Sequence, residues 1–130
     1  MTIFSRIIAG EIPCYKIAED DRFFAFLDIN PLSKGHTLVV PKLEVDYIFH
    51  LDDDLLSAMM LFAKKVAVAI EKSVPCIRIG VAVIGLEVPH AHIHLIPINR
   101  ESDMNFQNPK LKVTADEMIE ISDRIRKNIE

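Results

Sequence analysis

Cysteine is scarce in this sequence, and positive charge is not concentrated anywhere along it. Only Cys14 and Cys76 occur among 130 residues, which gives no disulfide framework, no CxxC redox pair and no zinc knuckle. The formal net charge is -4, and no basic run exceeds the Lys64-Lys65 pair. This charge pattern argues against binding to the backbone of a nucleic acid.

Long apolar runs are also absent. No uninterrupted stretch approaches the roughly 18 residues that a membrane-spanning helix needs, and residues 1–6 lack the charged and apolar regions of a signal peptide. We therefore expect a cytoplasmic protein that does not bind membranes. With 50% hydrophobic and 26% charged residues, the chain has the composition of one globular domain over 1–130. These features are compatible with a small-molecule ligand.

The first 41 residues alternate short apolar stretches with turn residues. This pattern predicts an opening helix and three strands, and the short links between the strands predict antiparallel pairing. In order, these elements are Ile3 to Ala9, Tyr15 to Ala18, Phe23 to Leu27 and Thr37 to Val40.

Helical spacing of apolar residues begins at the acidic cluster that starts with Asp52. It predicts a long helix over Asp53 to Ser73, which Pro75 terminates. Two β-rich runs follow, Ile77 to Ile84 and Ala91 to Ile98, and we expect them to be the two central strands.

A second helix is predicted near the C-terminus. The sequence Thr114-Ala115-Asp116-Glu117 has capping-box spacing, and apolar residues repeat at helical intervals over about 114–129. The fold class is therefore α+β, with a five-stranded antiparallel sheet, a long helix and a C-terminal helix.

Three of the five histidines alternate with apolar residues in the last predicted strand. Because side chains two apart in a strand share one face, His90, His92 and His94 are presented together, while Ala91 and Ile93 take the core side. Repulsion between three adjacent imidazolium ions disfavours full protonation. The pattern therefore indicates neutral imidazoles, which can act as nucleophile, base or ligand.

Four interpretations of this cluster are open on the residues alone. The histidines can lie on an exposed surface, or ligate a catalytic metal ion as a three-histidine set. They can also carry nucleophilic catalysis at phosphorus, with one imidazole attacking and its neighbours orienting it or stabilising charge. The fourth interpretation is a phosphate-binding pocket without turnover.

The segment His90-Ala91-His92-Ile93-His94-Leu95-Ile96 resembles the HφHφHφφ signature of the histidine triad superfamily, where φ is apolar. Three further segments resemble, in order and spacing, the nucleotide-binding branch of that superfamily. They are FSRIIAGEIP at 4–13, FAFLDINP at 24–31 and GHTLVVPK at 35–42. The resemblance implies the fold of that superfamily and covers most of positions 3 to 98.

The resemblance implies a role for each histidine of the site. His92 would attack the α-phosphorus of a nucleotide conjugate and be freed when water cleaves the nucleotidyl-imidazole. His94 would contact the phosphate or the leaving group. His90 and His36 would hold the ring network in its working tautomer.

The same resemblance implies a nucleotide pocket. Asp28 would accept hydrogen bonds from the ribose hydroxyls, because an ionised carboxylate suits a vicinal diol. The purine base would stack against apolar side chains. Those side chains are Phe4, Ile7, Phe26 and Ile29.

Two segments depart from the family pattern. Glu87 aligns with a hydroxyl residue that contacts phosphate in many relatives, so it is either an acid or base of the reaction or a sign that the site is tuned toward binding. Thr2 and Ser5 replace the CxxC that belongs to a structural zinc site in some relatives. We therefore expect no structural zinc. We also expect no catalytic metal and no cofactor, in line with the reaction that the resemblance implies.

Taken together, these patterns predict a homodimeric, metal-independent hydrolase of the nucleoside phosphoramidase type. It would bind a purine nucleotide and cleave the bond between the α-phosphorus and a nitrogen or mixed-anhydride leaving group through a covalent nucleotidyl-histidine. A nucleotide-binding regulator with weak or no catalysis is the alternative, and a metal-dependent hydrolase with three histidine ligands is the third. Met59, Met60 and Phe62 of the long helix are expected to supply apolar dimer surface.

Overall fold

The computed structural model describes residues 1–129. Its helices are α1 (Ile3–Ile8), α2 (Asp53–Ser73) and α3 (Ala115–Lys127), and its strands are β1 (Lys16–Glu19), β2 (Phe23–Leu27), β3 (Thr37–Pro41), β4 (Arg78–Ala82) and β5 (Ile93–Ile98). Short 3-10 turns occupy Ile48–His50 and Glu101–Met104. None of the helices in the described residues is long and apolar enough to cross a membrane.

The five strands form one sheet in the order β1-β2-β3-β5-β4, and every neighbouring pair is antiparallel. The predicted α+β class and the five-stranded antiparallel sheet are confirmed. The expectation that both β-rich runs form central strands is wrong for β4, because it pairs only with β5 and lies at the edge of the sheet. Val81 in this strand is 51% exposed.

The predicted long helix is confirmed with the same limits, since α2 runs from Asp53 to Ser73. The Asp52 side chain accepts a hydrogen bond from the backbone N–H of Leu55 at 2.8 Å, which caps the helix start. Val74 has an extended backbone, and Pro75 prevents the helix from continuing.

The main core lies between one face of the sheet and the helices α2 and α3. Alternate strand residues such as Val39, Ile93 and Leu95 point into it, and Met59 and Phe62 of α2 pack there too. Two of the three residues expected in a dimer surface are therefore buried in their own chain. Exposed apolar residues of α2 are instead Met60, Leu61 and Val68.

A smaller apolar cluster covers the opposite face of the sheet. It contains Phe4 of α1 together with Phe24, Phe26, Leu38 and Val40. In the β3–β5 register Leu38 pairs with His94, so histidine side chains emerge on this second face.

Candidate active site

The histidine motif lies at the start of β5 and is mostly outside it. The strand begins at Ile93, so His90 and His92 precede it and only His94 is a strand residue. The prediction of a strand through all three is thus wrong, because β4 ends opposite His94 and pairs with none of the earlier residues. All three side chains are nevertheless buried, with exposures of 0%, 7% and 8%.

His92 has one ring nitrogen bonded and one without a protein partner in the structure. Its Nδ1 lies 2.7 Å from the carbonyl oxygen of His90. Because a carbonyl only accepts, Nδ1 must carry the proton, and the neutral ring has its lone pair on Nε2. Burial lowers the pKa of His92, although the hydrogen bond to His90 opposes this shift. The ring is therefore neutral near pH 7, which is the form that a nucleophile needs.

A backbone N–H fixes the tautomer of His36, and His36 in turn fixes the tautomer of His94. Leu32 N donates to His36 Nδ1 at 3.0 Å, so the neutral His36 ring carries its proton on Nε2. That proton points at His94 Nδ1, 3.0 Å away. His94 in turn must carry its proton on Nε2, which makes this atom a hydrogen-bond donor.

Both of these imidazoles stay neutral at physiological pH. The pKa of His36 is lowered to about 3, mainly by burial and then by the nearby His94, Lys110 and His92 in that order. Burial also lowers the pKa of His94 to about 4, with a smaller contribution from His92. The ring centroids of His92 and His94 are 4.9 Å apart, so the two imidazoles are direct neighbours.

His90 is fully buried and has both ring nitrogens engaged. Nε2 lies 2.8 Å from the Pro41 carbonyl oxygen, and Nδ1 lies 2.7 Å from the Thr2 hydroxyl. Since Nε2 must donate to the carbonyl, the neutral ring accepts at Nδ1. His90 therefore contributes its backbone carbonyl to His92 and holds its own ring away from the reacting position.

Asp28 lies beside His36 in the turn that follows β2. Its Oδ1 accepts a hydrogen bond from Asn30 N at 2.9 Å, and its Oδ2 lies 3.6 Å from His36 Nε2. Burial raises the pKa of Asp28, while the Asn30 hydrogen bond and the positive charge of Lys110 lower it. The negative charge of Glu87 raises the pKa of Asp28 as well.

The predicted base-pocket residues divide into buried and exposed members. The Phe4 ring stands edge-on to Phe26 at 5.6 Å and to His92 at 5.0 Å. Ile7 packs against the same cluster and is partly buried. Ile29, next to Asp28 in the chain, is 70% exposed. An apolar, partly open wall of this kind suits a flat aromatic ligand.

Glu87 lies in the exposed loop between β4 and β5, next to Leu86, which is 88% exposed. Its negative charge contributes to the raised pKa of Asp28. The structure thus brings Glu87 into the electrostatic range of the site without attaching it to any histidine.

Sequence reasoning missed the segment that covers His94 and His36. The Phe106 ring stands edge-on to His94 at 4.9 Å and to His36 at 6.4 Å. Lys110 Nζ donates to the Phe106 carbonyl oxygen at 2.5 Å, and Leu111 N donates to Pro31 O at 2.9 Å. The polar composition of residues 99–109 suggested only a loop, and nothing local in it signals these contacts.

The hydrogen bonds of these side chains limit which of them can bind a metal ion. Within residues 1–129, one cluster of three side chains has potential metal-ligand atoms that all lie within 4.8 Å of one another. It consists of Asp28, His36 and His94. The lone pair of His36 Nε2 is not free for a metal, because the Leu32 N–H places the ring proton on that atom. His90 is engaged at both nitrogens, and Thr2 and Ser5 offer hydroxyls, which zinc sites rarely use.

An open, mostly apolar groove of about 820 Å³ also adjoins His92. Its wall includes Tyr47, Phe49, Met60 and Leu86. None of the predicted nucleotide-binding residues lines it, so the groove is a surface separate from the Phe4 wall.

Comparisons with known proteins point to one family. The HIT domain family matches residues 9–101. The adenosine 5'-monophosphoramidase hnt1 of Schizosaccharomyces pombe is 33% identical, covering 98% of this chain and 97% of that protein. The adenylylsulfatase HINT3 of Arabidopsis thaliana is 34% identical, covering 85% of this chain and 58% of that protein.

Solved structures agree as well. A HIT-like protein from Bartonella henselae that is involved in cell-cycle regulation has a TM-score of 0.83 and 29% identity, covering 98% of this chain and 95% of that one. The extent of the family match, the full-length relative and the histidine motif lead to one conclusion. The chain belongs to the histidine triad (HIT) family.

Proposed function

We propose that this protein is a hydrolase that cleaves the bond between the α-phosphorus of a purine nucleoside monophosphate conjugate and its leaving group. The observation that carries the proposal is the tautomer of His92, whose Nδ1 donates to the His90 carbonyl at 2.7 Å and whose Nε2 keeps its lone pair. The relatives named adenosine 5'-monophosphoramidase and adenylylsulfatase support a substrate of this class.

The reaction proceeds in two displacements at phosphorus. His92 Nε2 attacks the α-phosphorus, and the bond to the leaving group breaks. The leaving group keeps the bonding pair and takes a proton from solvent. Water then attacks phosphorus and loses a proton to solvent, the bond to Nε2 breaks, and the nucleoside monophosphate and neutral His92 are released. His94 Nε2–H stabilises the phosphoryl oxygens or the leaving atom as charge develops.

The substrate is held from the nucleoside side. Asp28 binds the ribose hydroxyls with the carboxylate oxygen that Asn30 leaves free, and this oxygen lies 3.6 Å from His36 Nε2. Phe4, Phe26, Ile7 and Ile29 form the wall on which the base stacks. No group on this wall reads the hydrogen-bonding edge of a base, so we propose only a purine of either kind.

Turnover of adenosine 5'-phosphoramidate, with and without a chelator, tests this proposal. We expect chelator-insensitive hydrolysis that His92→Ala abolishes and that the matched variant His50→Ala retains, because His50 is exposed and lies outside the site. Loss of activity on chelation with stoichiometric metal in the purified protein would instead support a metal-dependent hydrolase.

The second candidate function is a nucleotide-binding regulator without efficient turnover. Glu87 favours it, because a carboxylate near the phosphate site repels the substrate's negative charge. The variant Glu87→Ser distinguishes a carboxylate that hinders hydrolysis from one that takes part in it. If turnover rises, the carboxylate is an obstacle to hydrolysis; if turnover collapses while AMP affinity holds, Glu87 is an acid or base of the reaction.

We also propose that the protein is a homodimer joined through β4 and α2. The edge strand β4 has unpaired backbone groups, and Met60, Leu61 and Val68 expose apolar surface on α2. Sedimentation equilibrium should give a dimer for the wild type and a monomer for Leu61→Glu. Ile119→Glu on α3 is the matched control, since Ile119 is also exposed but lies elsewhere.

The chain is proposed to form a single domain over 1–130, of which Glu130 lies outside the described residues. Support comes from α3, whose Met118, Ile121 and Ile125 belong to the same core as the sheet and α2. One cooperative unfolding transition by calorimetry is the expected result, and two separate transitions would contradict it.

A further inference from the structure

A continuous chain of hydrogen bonds connects the buried His90 to a carboxylate on the surface. His90 Nδ1 lies 2.7 Å from Thr2 Oγ1, and Thr2 Oγ1 lies 3.2 Å from Ser5 Oγ. Ser5 Oγ donates to Glu44 Oε1 at 2.7 Å, and Thr2 N donates to the same oxygen at 2.7 Å. These four side chains, which we name the N-terminal latch, come from three separate parts of the sequence.

The protons of the latch have one consistent arrangement when His90 is neutral. Glu44 only accepts, so the Ser5 hydroxyl proton points at the carboxylate. His90 Nε2 donates to the Pro41 carbonyl, so His90 Nδ1 accepts the single hydroxyl proton of Thr2. Thr2 Oγ1 then accepts from Ser5 N at 3.0 Å. The Thr2 hydroxyl thus donates once and accepts once, whereas the Ser5 hydroxyl only donates. The Ser5 backbone N–H, rather than the 3.2 Å contact between the two hydroxyls, therefore links Ser5 to Thr2.

The carboxylate end of the latch keeps its charge over the working pH range. The Ser5 hydroxyl and then the Thr2 backbone N–H lower the pKa of Glu44 to about 2. Glu44 is exposed, yet it holds the first turn of α1 through two hydrogen bonds. A six-residue helix has little stability of its own, so contacts of this kind decide where it sits.

Two parts of the site depend on that position. Phe4 lies between the two hydroxyl residues on α1, and its ring stands 5.0 Å from His92 and 5.7 Å from His90. The backbone carbonyl of His90 accepts from His92 Nδ1 at 2.7 Å. Moving α1 away from His90 would thus disturb both the base wall and the group that sets the His92 tautomer.

We propose that Glu44 is a positioning residue of the site, which acts through Ser5 and Thr2 to hold α1 on His90 and thereby fixes Phe4 and the orientation of His92. Glu44 touches neither substrate nor reacting atoms. Its effect on turnover rests on the proposed function, whereas its effect on the His92 ring and on nucleotide affinity does not.

The test compares Thr2→Val, Thr2→Ser and Glu44→Leu with the control Glu11→Leu, another exposed glutamate beside α1 that has no contact with the latch. Nitrogen chemical shifts of the histidine rings report the tautomers of His90 and His92 directly. AMP affinity reports the base wall, and phosphoramidate turnover reports the chemistry. All variants are measured well below their unfolding temperatures.

We expect Thr2→Val and Glu44→Leu to mix the His92 tautomers, and to lower kcat/KM by about tenfold or more. Thr2→Ser, which keeps the hydroxyl, and Glu11→Leu should match the wild type. The double variant Thr2→Val/Glu44→Leu should be no worse than either single one, because both break the same chain.

Unchanged His92 ring shifts and unchanged AMP affinity in Thr2→Val and Glu44→Leu would overturn the proposal, even if their thermal stability falls. If the wild type itself fails to hydrolyse phosphoramidate, the ring shifts and AMP affinity still decide the matter. Failure of the latch and failure of the proposed reaction are therefore separate results.

Discussion

The two faces of the central strands β3 and β5 bury different kinds of side chain. On one face Val39 pairs with Ile93, and both lie in the main core beneath α2. On the other face Leu38 pairs with His94, and imidazoles lie among phenylalanines. The first face needs only apolar volume, whereas the second buries polar rings and must satisfy each of their nitrogens.

This difference separates what stabilises the protein from what equips it for chemistry. Apolar burial stabilises the core face in proportion to area. Within residues 1–129, no buried side-chain nitrogen or oxygen lacks a hydrogen-bond partner. For the buried histidines, several of these partners are backbone groups, namely Leu32 N, Pro41 O and His90 O. The backbone therefore fixes the tautomers, and stability and reactivity should respond to different substitutions.

The largest expected effect on stability is from Leu95→Ala on the core face. Leu95 is 1% exposed, so removing its side chain leaves a cavity and should lower the free energy of unfolding by about 2–5 kcal/mol. Urea denaturation measures the change, with Leu43→Ala as the exposed control. A loss no greater than that of the control would contradict the assignment of Leu95 to the core.

The next effect is a loss of stability as the histidine face is acidified. The folded pKa values of His36, His94 and His92 lie below the unfolded value of 6.5, so the unfolded chain binds more protons in this range. The stability that these neutral rings contribute is fully present above pH 6.5. It is lost as the pH falls through the folded pKa of His94, about 4, and then that of His36, about 3.

Thermal unfolding between pH 7 and pH 5 isolates this effect, because most carboxyl groups titrate at lower pH. His36→Gln should flatten the decline of the unfolding temperature with falling pH, and the exposed control His50→Gln should leave it unchanged. Equal slopes in the wild type and His36→Gln would sink the assignment of a neutral, buried His36.

A smaller effect is expected from Asp28→Asn, which should leave the core face untouched. Loss of a charged acceptor should weaken AMP binding by about tenfold, because hydrogen bonds to charged groups contribute roughly 1.5–3 kcal/mol. Isothermal titration with AMP and 2'-deoxy-AMP measures this, with Asp21→Asn as control. The wild type should prefer AMP and the variant should not; a preference that survives in the variant would remove Asp28 from the ribose site.

The smallest effect is expected from Lys110→Met, in the segment that covers His94. Lys110 lowers the pKa of Asp28 and His36, so its positive charge reaches the site and should attract a nucleotide phosphate. Removing this exposed charge should raise KM about two- to fivefold at low salt and less at high salt. The control Lys112→Met should have no effect; equal changes in both variants would leave Lys110 without a specific role.

Local sequence signals explain which parts of the fold could be predicted. The limits of α2 follow from Asp52, which caps it, and from Pro75, which cannot continue it. The position of β4 at the sheet edge could not be read in the same way, because strand order depends on pairing between distant segments. A β-rich run looks alike in a central and an edge strand.

The site shows the same division. The alternation of His90, His92 and His94 indicates a reactive cluster, but the tautomers depend on Leu32 N and Pro41 O, which no pattern near the motif reveals. Thr2 meets His90 across 88 positions and Glu44 across 42. Contacts at such separations form only when the chain folds, so the spacing of residues in the sequence could not predict the N-terminal latch.

The most direct test of the central claim is to look for a nucleotide covalently bound to His92 during turnover. Rapid acid-free quenching of the wild type with adenosine 5'-phosphoramidate, followed by peptide mass spectrometry, should reveal an AMP adduct on the peptide that contains His92 and no adduct in His92→Ala. Single-turnover hydrolysis without any adduct, or an adduct on another residue, would contradict nucleophilic attack by His92.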